Sequence, residues 1–190
     1  MTKGRMEAFS DGVIAILITI MVLELKVPEG ADAHALRGML PGFLSYLLSF
    51  IYLGIYWVNH HHMVHTADHI NGRILWANLH LLFWLSLVPS ATAWMGDNHT
   101  LPIPTAVYGA VLLMPAIAYY VLQQSIIAAQ GPHSRLHDAI GRDYKGKLSP
   151  VLYASSIGLA FVRPWMADVI FVLVALMWLV PDPRIESRLG

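Results

Sequence analysis

Apolar residues recur along the chain in long blocks, separated by short polar or Gly/Pro-bearing breaks, and the blocks predict six helices. They cover about residues 5–27, 36–59, 73–95, 104–129, 148–162 and 164–180. Pro28-Glu29-Gly30 breaks the first, Gly96-Asp97-Asn98 ends the third and Gly131-Pro132 the fourth. The last two are split by Arg163-Pro164 and fall short of the roughly 20 residues of an untilted span, so a re-entrant pair is their alternative. Two features mark the first block. Its start is polar, with Arg5, Glu7, Ser10 and Asp11, and its remainder is apolar. Along it Phe9, Val13, Ile16, Ile20, Leu23 and Val27 are spaced 4, 3, 4, 3, 4, a heptad seam on one face.

Composition turns these blocks into membrane spans. Of 190 residues 56% are hydrophobic and 13% charged, with a mean hydropathy of +0.55, which excludes an ordinary soluble domain. A formal net charge of zero argues against nucleic acid as a partner, and the lack of cysteine excludes disulfides and thiolate metal sites. The first helix does not read as a cleaved signal peptide, because Glu7 and Asp11 interrupt the basic-then-apolar order. With the N-terminus in the cytosol, nine basic residues fall inside (Lys3, Arg5, Arg73, Arg135, Arg142, Lys145, Lys147, Arg184, Arg188). Three fall outside (Lys26, Arg37, Arg163), a positive-inside bias that puts both termini in the cytosol. Residues 1–190 form one all-α, six-helix membrane domain with no internal repeat.

That topology brings distant polar residues to one depth near the inner leaflet. Trp57, Asn59, His60, His61 and His62 end the second helix, Trp76, Asn78 and His80 begin the third, and Arg5, Ser10 and Asp11 begin the first. Polar groups at membrane depth need partners, which predicts one hydrogen-bonded network across three helices. It either only ties the fold together or also senses protons or gates, since histidine titrates near neutral pH.

The pairs His61/His65 and His65/His69 share helix faces at a possible metal-ligand spacing. His80, His99, His133 and His137 form no second cluster of the HxxHH kind. No HExxH, Gly-x-Ser-x-Gly, Walker loop or GxGxxG occurs. The expectation is therefore no enzyme, no metal and no cofactor. Asp168, close behind Pro164, reads as an N-terminal helix charge, and Trp94, Trp165 and Trp178 as interfacial anchors.

The first-helix seam has two readings. It is ordinary helix packing, or several copies meet with Ile16 inward. In the second case Ile16, Ile20 and Leu23, within about 60° of one another, stack three apolar rings, with Thr19 at the margin. Such a constriction gates by dewetting, and no TVGYG-like loop exists to act as a carbonyl filter.

Arg5-x-x-x-Phe9-Ser10-Asp11 at the start of the first span resembles the RxxxFSD signature of the transmembrane protein 175 family of potassium channels. Gly12-Val13-Ile14-Ala15-Ile16 and Trp57-x-x-His60-His61 resemble its prokaryotic branch. The resemblance implies a potassium-selective cation channel of the plasma membrane. Four identical six-helix subunits would surround a pore lined by their first helices, with itself, monovalent cations and lipid as partners. It maps the constriction to Ile16, with Ile20 and Leu23 further along, and the hydroxyl layer to Thr19. It makes Arg5, Phe9, Ser10 and Asp11 structural, bonded to residues such as Trp57, His61 and Asn78. Two alternatives stand beside it: a proton-linked secondary transporter using Asp11 and the histidines, and a membrane metalloenzyme using the His60–His69 cluster.

Overall fold

A computed structural model describes residues 2–28, 30–131, 134, 136–137 and 143–179. Glu29, Pro132, His133, Arg135, Arg142, Val180, Arg184 and Arg188 lie outside the described residues. Every described element is helical: α1 (Lys3–Leu23), α2 (Ala33–His65), α3 (Gly72–Leu85), α4 (Val88–Asp97), α5 (Pro102–Gln130), α6 (Tyr144–Val162) and α7 (Pro164–Leu179).

Four stretches are long and apolar enough to cross a membrane: α1 with 21 residues, α2 with 33, α3–α4 together with 26 and α5 with 29. At 1.5 Å per residue even α1 spans roughly the 30 Å hydrocarbon layer, and α2 overshoots it. The apolar α7 has only 16 residues. Local chemistry sets the ends. Asp32 and Asn71 cap α2 and α3, their side chains accepting from Ala35 N at 2.8 Å and Ile74 N at 2.9 Å. Gly131, at φ +71, closes α5 in a conformation that suits glycine.

The third block differs from the uninterrupted span expected. It breaks between Leu85 and Val88, where Ser86 N folds back on Leu82 O and Phe83 O. The cause is Pro89 at the second position of α4, which has no N–H to continue the ladder and whose ring crowds the preceding turn.

The protomer is built around α5, which packs on α3, α4, α6 and α7, with Tyr108, Leu112, Leu122 and Ile126 fully buried. α6 and α7 form an antiparallel pair joined at Arg163. Helices approach closely where residues are small, as is usual when lipid is as apolar as the interface. α1 lies at the edge, against α2, α3 and α4. It buries Met6, Ser10, Ile14, Leu17 and Met21, a single stripe.

One close approach is tight enough to test. A Cβ added at Gly96 of α4 would stand 2.9 Å from Gly42 Cα of α2. Backbone cannot yield as a side-chain tip can, so Gly96→Ala should cost about 1–3 kcal/mol of stability. Gly38→Ala, with nothing within 4 Å of its new methyl, should leave stability unchanged or raise it slightly. Thermal unfolding of the two variants in one detergent checks the contrast.

Candidate functional site

Three polar side chains meet behind the foot of α1. Ser10 Oγ lies 2.9 Å from Met6 O, Asn78 Nδ2 2.9 Å from Ser10 Oγ, and His60 Nε2 2.7 Å from Asn78 Oδ1. All three are buried. A carbonyl can only accept, so the chain has one direction. Ser10 donates to Met6 O, Asn78 donates its amide hydrogen to Ser10, and His60 donates Nε2–H to Asn78. Neutral His60 therefore has a bare Nδ1, which is buried without a partner among the described residues, as is Glu7 Oε1.

A second link runs along the outside of this chain. Trp57 Nε1 donates to Asp11 Oδ1 at 3.0 Å, and Lys3 Nζ donates to His65 O at 2.5 Å. Both tie α1 to the last turns of α2. Tyr119 of α5 donates to Asn59 O at 3.2 Å, and Gln130 donates to Thr66 O, so the end of α2 is itself held by α5.

Of the residues singled out in the sequence, Ser10, Asn78, Asp11 and Trp57 are brought together here. His61 is not within hydrogen-bond reach of Asn78; His60 occupies that place. His61 is exposed and faces His65, their rings stacked 6.2 Å apart. Arg5 is exposed with no hydrogen bond to the described residues, and Phe9 is 49% exposed.

The apolar seam of α1 points away from the protomer except at Val13, which is half-buried and packs against the core. Ile16 is 57% exposed, Ile20 39% and Leu23 81%. Thr19 is exposed on the same side and donates its hydroxyl hydrogen to Ile16 O at 2.9 Å. That bond turns the oxygen lone pairs outward, a weak acceptor surface amid hydrocarbon.

Sequence reasoning missed a further buried cluster in the middle of the bundle. Ser49 of α2 lies 2.7 Å from Thr92 of α4 and 2.8 Å from Tyr108 of α5. Tyr52 donates to Phe171 O at 2.6 Å. The signal was present as the Ser45, Ser49, Tyr52, Tyr56, His60 progression, a stripe of small and polar residues three or four apart. Among the described residues no group of three or more His, Asp or Glu is placed to hold a metal ion.

The comparisons with known proteins bear on this arrangement. A family model described as endosomal/lysosomal potassium channel TMEM175 matches residues 5–89, the stretch that holds all but the first two residues of α1 and the whole of α2 and α3. A potassium channel of Chryseobacterium sp. (strain P1-3) is 56% identical over 189 residues, covering 100% of this chain and 98% of that protein. This chain belongs to the TMEM175 family. A potassium channel of Streptomyces collinus is 31% identical over 199 residues, covering 97% of each chain. The solved structure of a lysosomal potassium-selective channel TMEM175 homologue from Chamaesiphon minutus superposes with a TM-score of 0.84 at 28% identity, covering 94% of this chain and 96% of that one. With its apolar helices and these prokaryotic relatives, this TMEM175 member is a multi-pass membrane protein. The relatives are potassium channels and not enzymes, in agreement with the missing catalytic motifs.

The buried chain and its outer link should differ in weight. Asn78→Ala removes two bonds at once and strands the His60 Nε2–H in the interior, while Ser10 keeps its bond to Met6 O, which should cost about 2–4 kcal/mol. Trp57→Phe loses one bond at a half-exposed edge and should cost about 1 kcal/mol or less. Unfolding of both variants in the same micelles gives the order; equal losses would mean that the buried chain is not the stronger tie.

Proposed function

We propose that this TMEM175 member is a potassium-selective cation channel formed by four copies of the chain, with the α1 helices lining a central pore. The observation that carries this proposal is the division of α1 into two faces. Met6, Ser10, Ile14, Leu17 and Met21 are buried in the protomer, while Ile16, Thr19, Ile20 and Leu23 are exposed. A lipid-facing helix needs only an apolar surface. A heptad-spaced stripe with one hydroxyl in it suits helices meeting around an axis.

In that assembly Ile16, Ile20 and Leu23 form successive apolar rings. A hydrated cation cannot shed water there without replacement oxygens, so the narrow state is dry and closed. The outward lone pairs of Thr19 are the oxygens at hand when the helices splay or rotate. Potassium holds its water less tightly than sodium, and a sparse hydroxyl layer favours it without a TVGYG filter. The Ser10–Asn78–His60 chain keeps the foot of α1 in place while its apolar length moves. The six helical blocks of each subunit cross the plasma membrane, with α6 and α7 as its two short spans and both termini in the cytosol.

Planar bilayers with potassium on one side and sodium on the other test the selectivity. Unitary currents should reverse toward the potassium equilibrium potential. Ile16→Asn should wet the constriction and raise the closed-state conductance severalfold. If flux through Ile16→Asn equals that of the wild type, Ile16 is not the gate.

A further inference from the structure

We infer that His61 and His65 form a two-point binding site for a divalent transition ion of the zinc class, placed so as to clamp the foot of α1. The pair lies one helical turn apart on α2, with ring centroids 6.2 Å apart and ring planes 26° from parallel. Two imidazoles sharing one tetrahedral zinc, at Zn–N distances of about 2.0–2.1 Å, bring their ring centres to roughly 5 Å. In the stacked arrangement the in-plane lone pairs run side by side, so both side chains must turn about their χ angles to point a nitrogen at one metal, which the four-residue spacing on a helix allows. Both residues are exposed, and neither ring makes a hydrogen bond to the described residues, so the coordinating nitrogens have no competing partner. Imidazole selects zinc, copper or nickel over calcium or magnesium. Without a third protein ligand among the described residues, water completes the shell, as suits a reversible regulatory site and not a structural one.

The position gives the site its consequence. Trp57, His61 and His65 are four apart and form one row along α2. The first residue of that row holds Asp11 of α1, and the backbone of the last holds Lys3 of α1. The metal therefore joins the last two residues of the same row that grips the α1 foot. Bound there, it stiffens the last turn of α2 between its two holds on α1. It also adds two positive charges per chain beside the inner end of the proposed pore, which opposes entry of potassium from that side.

The test is calorimetric titration of the full-length, tag-free protein in detergent with zinc chloride. One zinc per chain is expected, with His61→Ala and His65→Ala each weakening binding about tenfold or more. The ring of His62 lies 5.7 Å from that of His61 but its Cα–Cβ bond is turned about 100° round the helix, so His62→Ala should change binding less than about twofold. Unchanged size-exclusion and circular-dichroism profiles guard against misfolding, and His61→Gln repeats the test with a side chain that keeps the bulk. Protons compete with the metal for imidazole, so binding should also weaken on acidification. Wild type that takes up no zinc, or His61→Ala and His65→Ala proteins that titrate like wild type, would overturn the site. The coupling to α1 rests on the pore reading above and is tested separately. Zinc on the His61 side should lower potassium flux through wild-type liposomes and not through His61→Ala. Undiminished flux in zinc-loaded wild type, shown to conduct without zinc, would overturn the coupling while leaving both the site and the pore reading standing.

Discussion

The structure depends on the demand that no polar group at membrane depth stay unpaired. Water cannot rescue a serine, an asparagine or a histidine there, so most buried polar groups pair either with a carbonyl one turn back, as Ser45, Ser125 and Ser156 do, or with another helix; among the described residues His60 Nδ1 and Glu7 Oε1 are left without a partner. Ser10, Asn78 and His60 meet that demand together, one residue from each of three helices, and end on the Met6 carbonyl. Association between lipid-soluble helices has little hydrophobic drive, so such bonds decide register and neighbours. This chain sets the rotation of α1 about its own axis. Once Ser10 points inward, Ile14, Leu17 and Met21 follow it on the same stripe, and Ile16, Ile20 and Leu23 must face out. The outward seam is thus a consequence of the inward serine.

The rest of the protomer gives that edge helix something firm to lean on. The Ser49–Thr92–Tyr108 cluster and the Tyr52 bond to the α7 backbone join α2, α4, α5 and α7 through the bundle's middle. Contacts of Tyr119 and Gln130 with the end of α2 hold the same turns that hold α1. One side of α1 is anchored to this scaffold, and the other is left uncovered by it. In the channel proposed above, that asymmetry would let the apolar length of α1 move while its foot stays put.

Much of this was legible in the residues. The helical blocks, the polar foot and the seam followed from hydropathy and spacing, because both report directly on what a membrane helix buries. The interruption at Ser86–Leu87 was not seen, since apolar residues continue across it and only Pro89 betrays it. Ser10 and Asn78 are recognisable as buried polar groups, and the residues place His60, His61 and His62 at the network without singling one out; the resemblance offers His61, and the structure has His60. In a run of three histidines each is turned 100° from the next, and hydropathy cannot phase them. The stripe through Ser49, Tyr52 and Tyr56 continues to His60, and that phase was readable. The central Ser49 cluster was overlooked because serine, threonine and tyrosine in apolar helices look unremarkable until their partners, 43 and 59 residues away, are in place.

The central claim is that the exposed face of α1 meets itself around an axis. The chain contains no cysteine, so single cysteines report that contact without background. Ile20→Cys and Ile14→Cys, oxidised in native membranes and run on non-reducing gels, are the direct comparison. The account predicts cross-linked dimers from Ile20→Cys and none from Ile14→Cys. Monomer from both, in samples that still assemble, would contradict it.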